Sequence, residues 1–272
     1  MKRVVASPAW PESWKLSYHY DRMEIYGEQA REGYAYAYER RRTLTLETVR
    51  GLLTPGSRIL DVAAAQGNFT LALAEDGYEV TWNDLREELA DYVRLKHSSG
   101  QVQYLPGNVL EIRPPHLFDA ILLTEVIEHV AHPDVFLRSV AAHLRPEGWL
   151  ILTTPNGGYF RNRLPSFSDC VDPSQFEEIQ FRPDADGHIF LLHDDEILRL
   201  AEAAGLQPCV LRHFGNPLTN GHVKLRHVLP LLPPRFVEAC ERLGDHLPSS
   251  LSRRFHFGTL AVFRKLATAR GH

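Results

Sequence analysis

The sequence predicts an α/β protein built on a doubly wound, mostly parallel sheet, and three observations lead there. Short apolar runs of strand length alternate with helix-like segments from residue 58 to residue 154. Gly, Pro and Ser signals separate them, as at Thr54-Pro55-Gly56 and Ser98-Ser99-Gly100. A turn of small residues, Ala63-Ala64-Ala65-Gln66-Gly67, follows the first run. In open parallel sheets, ligands bind at the carboxyl ends of the strands.

The elements follow in order. Residues 1–17 form a lead-in or flap, residues 18–32 a short helix, and the stretch through Leu53 a longer one. Arg58–Val62 is a buried strand and Gly67–Glu75 a helix ended by Gly77. Glu79–Asn83 is a strand, Leu85–His97 a helix, Val102–Leu105 a strand and Phe118–Thr124 another. Asp134–Leu144 is a helix with Pro133 in its first turn, and Trp149–Thr154 is a strand after the turn Arg145–Gly148. Residues 156–187 have the length usually kept for lids and binding loops. Asp194–Gly205 is a helix, Gln207–His213 a strand, and Phe255–Lys265 the final strand. Five prolines mark residues 216–250 as a second insertion. The expected organisation is a helical extension or cap over 1–56 and a single domain over 57–272.

Composition narrows the function classes. The 272 residues are 44% hydrophobic and 24% charged, enough to bury a sizeable core. A net charge of -4 carries no basic excess, which counts against a nucleic-acid partner. Three distant cysteines without a CxxC pair exclude a disulfide framework and a cysteine zinc site. No apolar run approaches the roughly 18 residues of a membrane span, and no apolar leader follows Met1. A soluble, cytoplasmic protein is expected.

The turn after the first strand points to a ligand. Small residues there let a ligand approach the backbone closely. Asp84, 23 residues after Asp61, ends the second strand, where an acid can accept hydrogen bonds from both hydroxyls of a ribose. The dinucleotide fingerprint GxGxxG and the P-loop GxxxxGK[ST] are both absent. Asp61, just before the turn, would repel a pyrophosphate but suits a cationic ligand. Together these residues suit an adenosine-type ligand carrying a positive charge.

The segment Ile59-Leu60-Asp61-Val62 through Gly67 resembles motif I of the class I S-adenosylmethionine (SAM)-dependent methyltransferases. Asp84, Gly107-Asn108-Val109, Phe118–Leu123 and Leu144–Leu150 fall in that family's order. The resemblance implies a Rossmann-like methyltransferase fold of seven strands with an antiparallel last strand. It implies SAM bound by Asp61, Ala63, Gly67, Asp84, Asn108, Val109 and Thr124. The sequence departs from the family at two places. Ala63 and Ala65 replace glycines, so these positions either keep negative φ or shift the loop. Asn108 stands where aspartate is common.

A second set follows the fourth strand in Thr124-Glu125-Val126-Ile127-Glu128-His129-Val130. On a helical turn Glu125, Glu128 and His129 share a face, with Val126, Ile127 and Val130 turned inward. The string is similar to one in ubiquinone-biosynthesis O-methyltransferases and in small-RNA 3′-end 2′-O-methyltransferases. It implies a divalent metal (Mg²⁺, Mn²⁺, Fe²⁺ or Co²⁺) held by Glu125, Glu128 and His129, completed by His188. Without a metal, His129 or His188 serves as general base. The expected reaction is O-methylation of a small-molecule acceptor. A metal-dependent RNA 3′-terminal 2′-O-methyltransferase and an inactive SAM-binding protein stand as alternatives. Trp10, Trp14, Tyr18, Tyr20, Tyr34 and Tyr38 form an aromatic lid or pack a helix on the sheet. Arg40–Arg42 is expected to be a solvated face.

Overall fold

The structure, a computed structural model, describes residues 1–27, 33–180, 187–220, 229–244 and 246–267. Its elements run α1 (Glu12–Glu24), α2 (Gly33–Leu52), β1 (Arg58–Val62), α3 (Asn68–Glu75), β2 (Glu79–Trp82), α4 (Leu89–Lys96) and β3 (Gln101–Tyr104). Then come β4 (Phe118–Thr124), α5 (Pro133–Ala142), β5 (Leu144–Pro155), α6 (Asp194–Ala203), β6 (Leu206–Phe214), α7 (Pro234–Gly244), α8 (Ser249–Phe255) and β7 (Gly258–Lys265). The seven strands take the order β3-β2-β1-β4-β5-β7-β6. This is the expected mixed sheet, and its last strand is antiparallel to β5 and to β6.

The chain divides into two compact units, Met1–Pro114 with Gly215–Arg242 and Pro115–Phe214 with Leu243–His272. In the first, β1, β2 and β3 pair in parallel. The apolar run of β1 is buried at Ile59, Leu60 and Val62, as a strand covered on both faces requires. Leu71, Trp82, Leu89, Ala90 and Val93 form a core cluster there. In the second, β4 pairs in parallel with β5, and Phe118, Leu122, Leu150, Leu152 and Phe263 are buried. No helix among the described residues is long and apolar enough to cross a membrane.

Several boundaries differ from expectation for local reasons. The first helix starts at Glu12, inside the expected flap, directly after Pro11, which suits a helix entry. The second crossover helix begins only at Leu89, because Asp84 Oδ1 accepts the backbone N–H of Arg86 and holds a turn there. Arg145–Gly148 belongs to β5 rather than to a free turn, and Glu147 absorbs the bend with φ 65°. Phe255 ends α8, so the final strand starts at Gly258. Residues 28–32 of the expected short helix, 181–186 of the long connection and 221–228 of the second insertion lie outside the described residues.

Candidate functional site

The turn from β1 into α3 is tied down at nearly every residue. Ala64 donates its backbone N–H to the Asn83 carbonyl, and Gly67 donates to the Ala64 carbonyl, both at 2.8 Å. Ala65 donates to Asp84 Oδ2 at 2.8 Å and accepts from Trp82 Nε1 at 3.0 Å. These bonds require a tightly curled backbone. Ala63 and Ala65 therefore take φ 51° and 45°, so of the two expected alternatives negative φ is not the one adopted. Left-handed φ is rare for alanine and costs about 1–2 kcal/mol per residue. Strain at such positions collects at functional turns.

Asp61, the last residue but one of β1, is almost fully buried. Its Oδ2 accepts from Thr70 Oγ1 at 2.6 Å, while Oδ1 has no hydrogen-bond partner among the described residues. Burial pushes its carboxyl up to about 7; the Thr70 hydrogen bonds oppose this, and the charge of Asp84 adds to it. Asp84 is also buried, and Arg86 Nε and a terminal guanidinium nitrogen donate to it at 3.0 and 3.2 Å. Asn108 turns its carbonyl oxygen back onto the Leu110 N–H at 3.1 Å, which leaves that oxygen one lone pair for a ligand. Val109 beside it is buried.

The second unit carries the other predicted residues. Thr124 ends β4 half-buried, in register with Thr153 of β5. Glu125 takes φ 53° and donates its N–H to the Thr153 carbonyl. A short 3-10 helix then covers Ile127–His129. The expected helical face therefore does not form from residue 125. Glu128, His129 and His188 come together, with one ligand atom of each within 4.8 Å of the others, and Glu125 is outside that group. Val126, Ile127 and Val130 are buried as expected, and so is Glu128.

Two contacts explain why His188 arrives there. The Glu128 carbonyl accepts the Ile189 N–H at 2.7 Å, which pins residue 188 beside His129. The two imidazole rings meet edge to face with centroids 4.9 Å apart. Glu128 Oε2 accepts from Thr154 Oγ1 at 3.0 Å in a buried bond. His129 Nδ1 lies 3.3 Å from the Gly187 carbonyl, an oxygen that only accepts, so the contact is a hydrogen bond in the tautomer with the proton on Nδ1.

The aromatic residues at the N-terminus do not form one lid. Trp10 packs edge to face on Trp14, Tyr18 and Tyr92, and Trp14 Nε1 donates to the Glu88 carbonyl, so this group fastens α1 to α4. Tyr20 meets Tyr34, and the buried Tyr38 meets Phe69. Arg40, Arg41 and Arg42 are half-buried rather than a solvated face, and Arg41 lies over the Tyr38 ring.

Sequence reasoning missed Thr154, Asp21, Glu24 and Lys96. Lys96 had a signal: it continues the stripe Leu89–Val93 at helical spacing, so it occupies a buried position.

Comparison with known proteins adds the family. A family model described as a methyltransferase domain matches residues 27–210. The ubiquinone biosynthesis O-methyltransferase of Xanthomonas campestris pv. campestris (strain B100) is 41% identical over 106 residues, 38% of this chain and 44% of that protein. The protein of the same name from Bordetella avium is 29% identical over 171 residues, 61% of this chain and 68% of its own length. The match thus spans less than half the length of the Xanthomonas relative. Among solved structures, Haemonchus contortus phosphoethanolamine N-methyltransferase 2 in complex with S-adenosyl-L-methionine superposes with a TM-score of 0.54 at 16% identity, covering 84% of this chain and 52% of that one. At such identity the likeness speaks for the fold. With the model covering residues 27–210, the chain belongs to the methyltransferase-domain family, as a member of the class I SAM-dependent methyltransferases.

Proposed function

We propose that the protein transfers the methyl group of SAM to a hydroxyl oxygen of a small molecule. The observation that carries this reading is Asp61: a buried carboxylate with one oxygen lacking a partner among the described residues, at the mouth of a strained, small-residue turn. Desolvation penalises its charge, and a cationic ligand would relieve that penalty. SAM fits, since it carries an ammonium on its methionine end and a ribose for Asp84. In this reading Asp61, Ala63, Gly67, Asp84, Asn108 and Val109 hold the cofactor. SAM supplies a methyl group on a positively charged sulfur, open to in-line attack.

The acceptor hydroxyl must lose its proton as its oxygen attacks. In this reading His129 takes it as general base, and the 3.3 Å contact of its Nδ1 with the Gly187 carbonyl supports Nε2 as the accepting atom. Glu128, His129 and His188 also offer one carboxylate oxygen and two imidazole nitrogens, a donor set that suits Mg²⁺, Mn²⁺, Fe²⁺ or Co²⁺. A cation bound there would lower the pKa of a coordinated hydroxyl.

That cluster also favours a second reading, the metal-dependent 2′-O-methylation of an RNA 3′ end. The net charge of -4 opposes it, because RNA affinity rests on neutralised phosphates. The test is release of S-adenosylhomocysteine from SAM with a panel of phenolic and aliphatic hydroxyl acceptors, and with short RNAs in parallel. Turnover on small hydroxyl compounds is expected. Turnover confined to RNA would replace the first reading with the second, and SAM binding without turnover on either would indicate a binding protein.

A further inference from the structure

A buried ion pair lies beside the small-residue turn. Asp21 of α1 and Lys96 of α4 are both fully buried, with Nζ 2.7 Å from Oδ2. None of the roles assigned above uses either residue. Burying two charges is costly, and an apolar pair of similar size often serves stability as well. The contacts of Lys96 give the pair another purpose. Its Nζ also donates to the Gln66 carbonyl at 2.9 Å and to Asn68 Oδ1 at 2.5 Å. All three ammonium protons are therefore engaged, and two of them grip the residues flanking Gly67.

Gly67 is the exit of the turn, with φ 71°. Val93, on the same face of α4 as Lys96, fills the space a Cβ would need there, 2.8 Å away. From the other side, Asp21 Oδ1 accepts from Asn68 Nδ2 at 2.9 Å, and Oδ2 accepts from the Tyr92 hydroxyl at 2.7 Å. Glu24, at helical spacing from Asp21, accepts from Gln66 Nε2 at 2.9 Å and Asn68 Nδ2 at 2.8 Å. Two carboxylates from α1 and one ammonium from α4 thus converge on Gln66 and Asn68.

We propose that Lys96 is a positioning residue for the cofactor turn, and that the Asp21–Lys96 pair couples the docking of α1 to the binding of SAM. The second clause rests on the reading that this turn holds SAM. Burial pushes the Lys96 ammonium below the usual lysine range, and the Asp21 and Glu24 carboxylates oppose that effect. If Asp21 is lost, the grip on Gln66 and Asn68 loses its counter-charge. Coupling of this kind is reciprocal: a bound cofactor tightens α1, and a docked α1 tightens the turn.

The test uses the full chain as wild type, Asp21→Asn, Lys96→Met and the double variant. Three quantities are measured: thermal midpoint, amide hydrogen exchange across residues 66–71 without ligand, and SAM affinity by calorimetry. Each single variant is expected to lose thermal stability, because it strands a charge or its partner. The double variant, which carries neither charge of the Asp21–Lys96 pair, is expected to recover most of that loss. Its turn is nevertheless expected to exchange faster at Gly67 and Leu71 than wild type, and its SAM affinity to stay about 5- to 150-fold weaker, the usual range of coupling between sites. A double variant with wild-type exchange and wild-type affinity would overturn the proposal and make the pair a structural filler. If wild-type protein takes up no SAM, the reading of the turn falls; the grip is then judged on exchange alone, and unchanged protection in the double variant would overturn it. Where the single variants do not fold, the double variant carries the comparison.

Discussion

The carboxylate of Asp84 accepts a hydrogen bond from the backbone N–H of Ala65 at 2.8 Å. The acid read as the ribose partner is therefore also what curls the turn beside it. The same oxygen that shapes Ala65 leaves Asp84 with Arg86 over it, so the acid is fixed before any ligand arrives. Pre-ordering of this kind lowers the ordering cost of binding.

The strain in the turn yields a stability prediction. Ala63→Gly and Ala65→Gly are each expected to stabilise the protein, by up to ~1 kcal/mol, because glycine reaches positive φ without the alanine penalty. The glycine's extra freedom in the unfolded chain offsets part of the gain. Urea denaturation checks this, and a lower midpoint at unchanged slope would contradict it.

Gly67 should behave in the opposite way. Gly67→Ala forces a Cβ to 2.8 Å from Val93 Cγ1 at φ 71°, and is expected to cost roughly 2 kcal/mol or more. Gly205→Ala is the internal control. It has a similar φ of 74° but nothing within 4 Å, so it should cost about 1 kcal/mol, the strain alone. Equal losses in the two variants would mean that Val93 yields.

Asp61 sets a pH dependence with a definite sign. Its carboxyl moves from 3.8 up to about 7 on folding, so the folded protein favours the protonated form. Its contribution to ligand-free stability is full below pH 3.8 and is lost as pH rises through about 7. SAM binding should run the other way, weakening by up to about tenfold per pH unit as Asp61 gains its proton below that value. Calorimetric titrations at pH 6 and pH 8 on wild type and Asp61→Asn test this. A pH dependence that survives in Asp61→Asn would assign it to another group.

The cluster on the second unit predicts cation binding. One equivalent of Co²⁺ or Mn²⁺ is expected to bind, and Glu128→Ala or His188→Ala should weaken it at least tenfold, a step of ~1.4 kcal/mol. Glu125→Ala should leave it within about threefold, since Glu125 lies outside the group. Activity that a chelator leaves untouched would remove the metal from the reaction and leave His129 as the base.

Much of this was legible in the sequence, and the exceptions have physical reasons. Strand and helix positions followed from period and from Gly and Pro signals, because local pattern decides them. Asp61, Asp84 and Gly67 could be read because a turn with acids at fixed spacing is a one-dimensional signal. The φ values of Ala63 and Ala65 could not, because hydrogen bonds donated by the turn to Asn83 and Asp84, distant in sequence, impose them. The same holds for Glu125, whose left-handed φ breaks the helical face drawn through Glu128 and His129. The Asp21–Lys96 pair joins residues 75 positions apart, and only the folded chain brings them together.

The central claim is that the turn Ala63–Gly67 with Asp61 and Asp84 holds SAM. Isothermal titration of the folded wild-type chain with SAM, beside Asp84→Ala, tests it most directly. The account predicts one equivalent of SAM bound by wild type and at least tenfold weaker binding by Asp84→Ala, the loss of one charge-assisted hydrogen-bonding partner. A folded wild-type protein that takes up no SAM would contradict it.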